Sequence, residues 1–221
     1  MYLPILNQML IKRTNSGFIP RASEEQEAIV KEFREIVGTL VILADPLPVK
    51  SLAGLLGIEE QVIGHRLSLF NSVLNIPSDL TAPVKTLHLS FRDFLVDPKN
   101  RATNPSWVDE EMTYKKLVAK CLELLRDCLQ EDICSLQRPG KSRAEVDRQI
   151  FLKHLPSEIQ YACLYWVYHL KRNRRTVRDG DQVHHFLTRY LLYWLKVLSL
   201  MGRISESIGL IDDLQSVTDV S

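Results

Sequence analysis

Apolar residues recur every three or four positions along most of this chain, a spacing that predicts a mainly α protein. The clearest stripe is Ile29, Phe33, Ile36, Val37, Leu40 and Val41, one buried face of a helix. Ahead of it, Ser23 and Gln26 have the spacing of a capping box. Residues 1–12 form a short apolar segment, helical after Pro4, and a polar break follows over 13–23. The break at Ala44–Pro48 ends the long helix, and Pro48 suits the first turn of the next. That next helix carries Leu52, Leu55 and Leu56, and Gly57 stops it. A further helix runs through Glu59, Val62, Ile63, Leu67 and Phe70.

Two short helices joined at a glycine form a helix-turn-helix pattern. Val73–Ile76 and Val84–Leu89 then read as a pair of strands, the chain's single β element. Ser90 is placed to cap a short helix over Phe91–Val96, with Asp93 at its third position. Helices, hairpin and helix in this order predict a winged-helix domain over 23–97, with the hairpin as wing. Residues 1–22 are a short helical segment before it.

Residues 98–107 make a linker rich in turn formers. A helical domain follows over 108–217. Its helices are expected over 108–132, from Pro156 through Leu170, from a cap at Asp181 to Met201, and over 205–214, with a polar loop at 136–149. The second and third are apolar on nearly every side, so they are expected to be buried on more than one side, in a helical bundle or a stretch of stacked helices.

Composition narrows the function. The chain has 221 residues, 45% hydrophobic and 25% charged, with a net charge of +1. That balance gives no general argument for a nucleic-acid or membrane partner. Only 9 glycines are present, little to build a phosphate-cradling loop from. Cys121, Cys128, Cys134 and Cys163 include no C-x2-C pair, so core thiols in a reducing cytosol are expected rather than a metal site. His184 and His185 are adjacent and diverge on a helix, which makes them poor joint metal ligands. None of the familiar catalytic strings occurs, and no enzyme is expected.

The string Leu87-His88-Leu89-Ser90-Phe91-Arg92-Asp93-Phe94-Leu95 resembles the histidine-containing motif that ends the winged-helix domain of NACHT-type signalling NTPases. Further segments resemble the fungal NACHT and WD-repeat proteins of the heterokaryon-incompatibility group. They are MYLPILNQML, IVKEFREIVGTLVILADPLPV, VLNIPSDLTAPVKTLHLSFRDFLVDP, LPSEIQYACLYWVYHL and MGRISESIGLIDDLQS, which follow the family's order over nearly the whole chain. The resemblance implies a regulatory, non-catalytic module of a STAND-type switch in fungal non-self recognition and cell death. Such proteins rest closed on a nucleoside diphosphate, then open and oligomerise when the repeat domain detects a ligand.

In this family the winged helix is the lock and its motif histidine reaches the β-phosphate; His88 stands at that position. Arg92 and Asp93 become candidates for interdomain contact. A nucleotide-binding core and a repeat domain are the implied partners, in cis or in trans, in the cytoplasm. ADP/ATP or GDP/GTP would be held only in a full-length context, because no phosphate loop, Walker B acid or sensor arginine is recognisable here. Those parts would precede Met1 and the repeats would follow Ser221, which makes the chain a fragment, a truncated product or a lock acting in trans.

Taken by its residues alone, His88 reads instead as a strand-end histidine near a core, satisfied by a backbone partner. The alternative function is a nucleic-acid-binding winged helix that uses Arg66 and the basic run 171–178. The acids Glu59 and Glu60 at the start of its second helix argue against it.

Overall fold

The stripe from Ile29 to Val41 is buried as its spacing demands, in a helix α2 (Ser23–Ile42) whose Ile36 and Val37 are almost wholly covered. The computed structural model describes residues 2–14, 17–79, 81–134, 146–174 and 176–218. Among them it is mainly helical, with ten α-helices and four short strands. The chain divides into two compact units, Met1–Thr113 and Tyr114–Ser221.

In the first unit, α1 (Leu3–Gln8) precedes two antiparallel strands, β1 (Ile11–Thr14) and β2 (Gly17–Pro20). The expectation of a single β element is corrected here. Every residue of β2 is exposed, so no inward–outward alternation marks it as a strand. Part of the break at 13–23, residues 15 and 16, lies outside the described residues. The capping box is not formed either. The helix begins one residue early, with Ala22 at the cap and no side-chain bond. Gln26 turns back to donate to the Arg21 carbonyl at 2.7 Å. Glu24 and Glu25 in the first turn complement the helix dipole instead.

After α2 come α3 (Val49–Leu56) and α4 (Glu60–Ser68). Gly57 closes α3 at φ 69°, a left-handed backbone that a side chain would strain. Leu52, Leu55, Ile63 and Leu67 are fully or almost fully buried between these helices and α2. Phe33 and Phe70 meet edge to face at 5.0 Å. Each such aliphatic side chain contributes about 1.5–3 kcal/mol on burial.

The strands β3 (Leu74–Asn75) and β4 (Lys85–Thr86) are shorter than the runs Val73–Ile76 and Val84–Leu89 predict, and they pair antiparallel. Between them, Leu80 lies outside the described residues. Then α5 (Leu89–Val96) packs on α2 through Phe91 and Leu95. Its cap position belongs to His88, not Ser90, and Asp93 is its fifth residue rather than its third.

Residues 104–108 fold back onto α2. Val108 N–H donates to Leu95 O at 2.8 Å. A Cβ on Gly38 would stand 3.2 Å from the Val108 side chain, so glycine permits the close approach.

In the second unit, α6 (Glu110–Cys128, from Tyr114 onward here) lays Leu117, Cys121, Leu122 and Leu125 into the core. It is shorter at both ends than 108–132. Most of the polar loop, 136–145, lies outside the described residues, but its end begins a helix, α7 (Arg148–His154). Asp147 caps it, accepting from the N–H groups of Gln149 and Ile150. No residue of α7 is buried, so no apolar face announced it.

Pro156 does open α8 (Ser157–Arg172), and Asp181 does cap α9 (Gln182–Leu200), accepting from His184 N–H at 2.9 Å. The last helix, α10 (Glu206–Val217), packs on α8. Trp166 of α8 meets Phe186 and Trp194 of α9 at 5.5 and 5.3 Å, all three fully buried. Trp194 Nε1 donates to Cys163 O at 2.9 Å. The four thiols are free; Cys128 is half-buried and the other three are buried.

Candidate functional site

His88 precedes the first turn of α5 with an extended backbone, φ −143° and ψ 134°, and its side chain stands at the surface. The expectation of a histidine near a core with a backbone partner is corrected. The Nδ1 atom lies 3.0 Å from Ser90 Oγ, a side-chain partner. Ser90 Oγ in turn lies 2.7 Å from the Tyr2 hydroxyl. The Tyr2 ring rests against Phe91 and Phe94, at 5.2 and 5.5 Å. Nε2 has no protein partner among the described residues. One ring nitrogen is therefore held by the protein and the other faces outward. Leu87 and Leu89 on either side are exposed at 56% and 77%, an apolar rim that favours a covered rather than a solvated setting.

Arg92 is occupied differently. Its Nε donates to Val41 O at 3.1 Å, and an Nη reaches Glu110 Oε1 at 2.6 Å. Val41 lies at the end of α2 and Glu110 at the start of α6, so Arg92 clamps three segments of its own unit. Asp93 is exposed and lies 3.7 Å from Arg92 Nη1. The structure thus places His88 at the cap of α5 and Arg92 within it, and gives them separate partners. Tyr2, 88 residues from Ser90, had no signal in the sequence.

The residues that a nucleic-acid reader would use are partly spoken for. Arg66 pairs with Glu32 at 2.7 Å. Lys171 pairs with Asp213 at 2.5 Å, and Arg172 lies over the Tyr168 ring at 5.3 Å. Arg175 lies outside the described residues. A cleft of about 630 Å3 beside α3 and α4 is lined by Glu59, Glu60 and Asp79, acids that repel phosphates. A second, of about 870 Å3, lies along the start of α9 by Arg126, His185 and Arg189. Neither is lined by His88. His184 Nδ1 accepts from Gly180 N–H at 3.1 Å, while His185 Nδ1 lies 2.7 Å from Asp181 O. Both histidines serve the turn that begins α9.

One titratable group was missed by sequence reasoning. His169 is fully buried (0% exposed), with Nε2 2.7 Å from the Tyr161 hydroxyl and Nδ1 without a partner. Burial lowers its pKa from the ordinary 6.5 to about 4. Its only trace in the sequence is a polar residue inside an otherwise apolar helix.

Fold and site together define a mainly helical chain in two units, with one outward-facing histidine held by hydroxyls at a helix start. This chain is similar to the vegetative incompatibility protein HET-E-1 of Podospora anserina, with 26% identity over 207 residues, covering 83% of this chain and 15% of that protein. The chain therefore spans less than a sixth of that relative's length. The likeness supports the resemblance to fungal heterokaryon-incompatibility proteins. No protein-family model and no solved structure matches the chain. Among the described residues, no helix is long and apolar enough to cross a membrane.

Proposed function

We propose that this chain is the winged-helix and adjoining helical part of a NACHT-type signalling NTPase of the fungal incompatibility group. It acts there as a non-catalytic lock that senses the bound nucleotide. The reading is supported by the element order α2, α3, α4, β3, β4, α5, which matches the order expected of a winged helix, and by the likeness to HET-E-1 over most of the chain. Partners in this reading are a nucleotide-binding core and a repeat domain, in cis or in trans, in the cytoplasm. Oligomerisation belongs to the activated full-length state.

The observation that carries the reading is His88, whose Nε2 faces outward from the start of α5. An imidazole N–H beside a phosphate oxygen makes a charge-assisted hydrogen bond. The residues present fit one such contact and not a whole phosphate site, because Arg92 is committed to Val41 and Glu110. A nucleoside diphosphate would supply the difference in free energy between the closed and open states, which the lock must feel to shift their populations.

The test is His88→Ala in a full-length parent, with release of bound diphosphate as the readout. Loss of one charge-assisted bond speeds release about 10- to 100-fold. The stability of the isolated chain changes by no more than about 0.5 kcal/mol, since the side chain is exposed. Unchanged release removes the lock role. Tight binding of this chain to duplex DNA with a steep salt slope would replace the reading with the nucleic-acid one.

A further inference from the structure

We infer that Tyr2 and Ser90 are positioning residues that hold the His88 imidazole in its Nε2–H tautomer, turning that N–H outward as a hydrogen-bond donor. The inference rests on the lock role of His88 for its use, though not for its chemistry. Three polar groups stand in line: the Tyr2 hydroxyl, Ser90 Oγ at 2.7 Å, and His88 Nδ1 at 3.0 Å from Ser90 Oγ. Each hydroxyl has one proton to give and lone pairs to accept with. Two polarities pass a proton along the whole line; a third, in which Ser90 Oγ accepts from both neighbours and gives its own proton to solvent, sets two donors against one oxygen and forgoes the gain of donors in series.

In the first, Tyr2 O–H donates to Ser90 Oγ and Ser90 O–H donates to Nδ1. The imidazole then carries its proton on Nε2. In the second, Nδ1–H donates to Ser90 Oγ and Ser90 O–H donates to the Tyr2 oxygen. Nε2 is then a bare lone pair. The groups at the two ends decide between them. A phenol, with a pKa near 10, is a much stronger acid than an aliphatic hydroxyl and so the better donor. An imidazole nitrogen is a better acceptor than a phenol oxygen. The first polarity places the best donor at one end and the best acceptor at the other, and donors in series strengthen one another.

Packing fixes where the line starts. The Tyr2 ring is seated against Phe91 and Phe94 of α5, and Phe91 is itself fully buried. The consequence for the lock is that neutral His88 already offers a donor to an anionic oxygen. The opposite tautomer would present a lone pair and repel it. Tyr2 and Ser90 therefore select the state of the histidine that can hold a phosphate without taking up a proton.

The test uses the chain as it is, labelled with 15N-histidine and read by long-range proton–nitrogen spectra at a pH above the ordinary imidazole range. Ser90 is exposed, and alanine favours a helix interior, so Ser90→Ala folds. The expected result is a protonated Nε2 and a bare Nδ1 at His88. In Ser90→Ala the ratio of Nε2–H to Nδ1–H tautomers falls about fivefold, the share of one hydrogen bond. Ser90→Thr keeps the hydroxyl and restores the ratio, and Tyr2→Phe gives a smaller fall.

A protonated Nδ1 in the parent chain, or a ratio unmoved by Ser90→Ala, overturns the inference. The spectra involve no nucleotide, so their outcome is separate from that of diphosphate release in His88→Ala. The expected tautomer with unchanged release would leave the positioning intact and remove only its use.

Discussion

Trp194→Ala is expected to destabilise the protein by about 3–5 kcal/mol, the range for a large aromatic removed from a packed core. Trp194 is fully buried in α9 and stands edge to face with Trp166, 5.3 Å between ring centroids. Trp166 also leans on Phe186 at 5.5 Å. Such aromatic pairs contribute about 0.5–1.5 kcal/mol beyond the area they bury. The indole N–H is committed as well, donating to Cys163 O of α8 at 2.9 Å. Alanine therefore leaves a cavity, an aromatic partner without its edge, and a buried carbonyl short of a donor. Urea unfolding followed by tryptophan fluorescence and circular dichroism checks this. Trp194→Phe keeps ring packing without the N–H and should lose distinctly less. A loss below about 1 kcal/mol for the alanine variant would mean that the α8–α9 contact is not the core of the second unit.

The second large effect is on pH. His169 is fully buried against Tyr114, Tyr161 and Tyr168. No carboxylate pairs with it among the described residues. Burial disfavours its charged form, so its folded pKa is lowered to about 4 against an ordinary 6.5. The unfolded chain therefore takes up the proton first as pH falls. Stability from this group is fully present above about pH 6.5 and is lost progressively towards pH 4. The loss from this histidine alone is about 2 kcal/mol by pH 5 and approaches ~3 kcal/mol below pH 4. His169→Phe removes the titration and keeps an aromatic in the nest, though it leaves the Tyr161 hydroxyl without this partner. Urea midpoints for both chains between pH 7 and pH 4.5 give the comparison. The parent should fall more steeply than the variant by roughly that amount. Parallel slopes would show that His169 is not held neutral by its surroundings.

What was legible in the sequence had a period or a stop. The α2 stripe shows because six apolar residues fall on one face, and Gly57, Pro156 and Asp181 mark ends that backbone chemistry enforces. What escaped has neither. Exposed strands such as β2, and α7 with no buried residue, carry no inside-and-outside contrast to read. Ser23 and Ser90 looked like caps because the residue type fits. A shift in the helix start, of one residue at Ser23 and two at Ser90, is enough to aim each hydroxyl elsewhere. The string around His88 drew attention to the histidine. Its setting depends on Tyr2, which only the folded chain brings alongside.

The thiols of the second unit have a practical consequence. The thiolate is the reacting species in alkylation. Burial pushes the Cys121 thiol up to about 12 and raises that of Cys163 as well; Cys128, only half-buried, is also raised, by its partial burial and then by the nearby Asp127 and Glu158 carboxylates. A modifying reagent at neutral pH therefore meets Cys121 and Cys163 only while the unit is briefly open. Their labelling rates, set against that of Cys128 in the same molecule, act as an internal clock for how often the α8–α9 core comes apart.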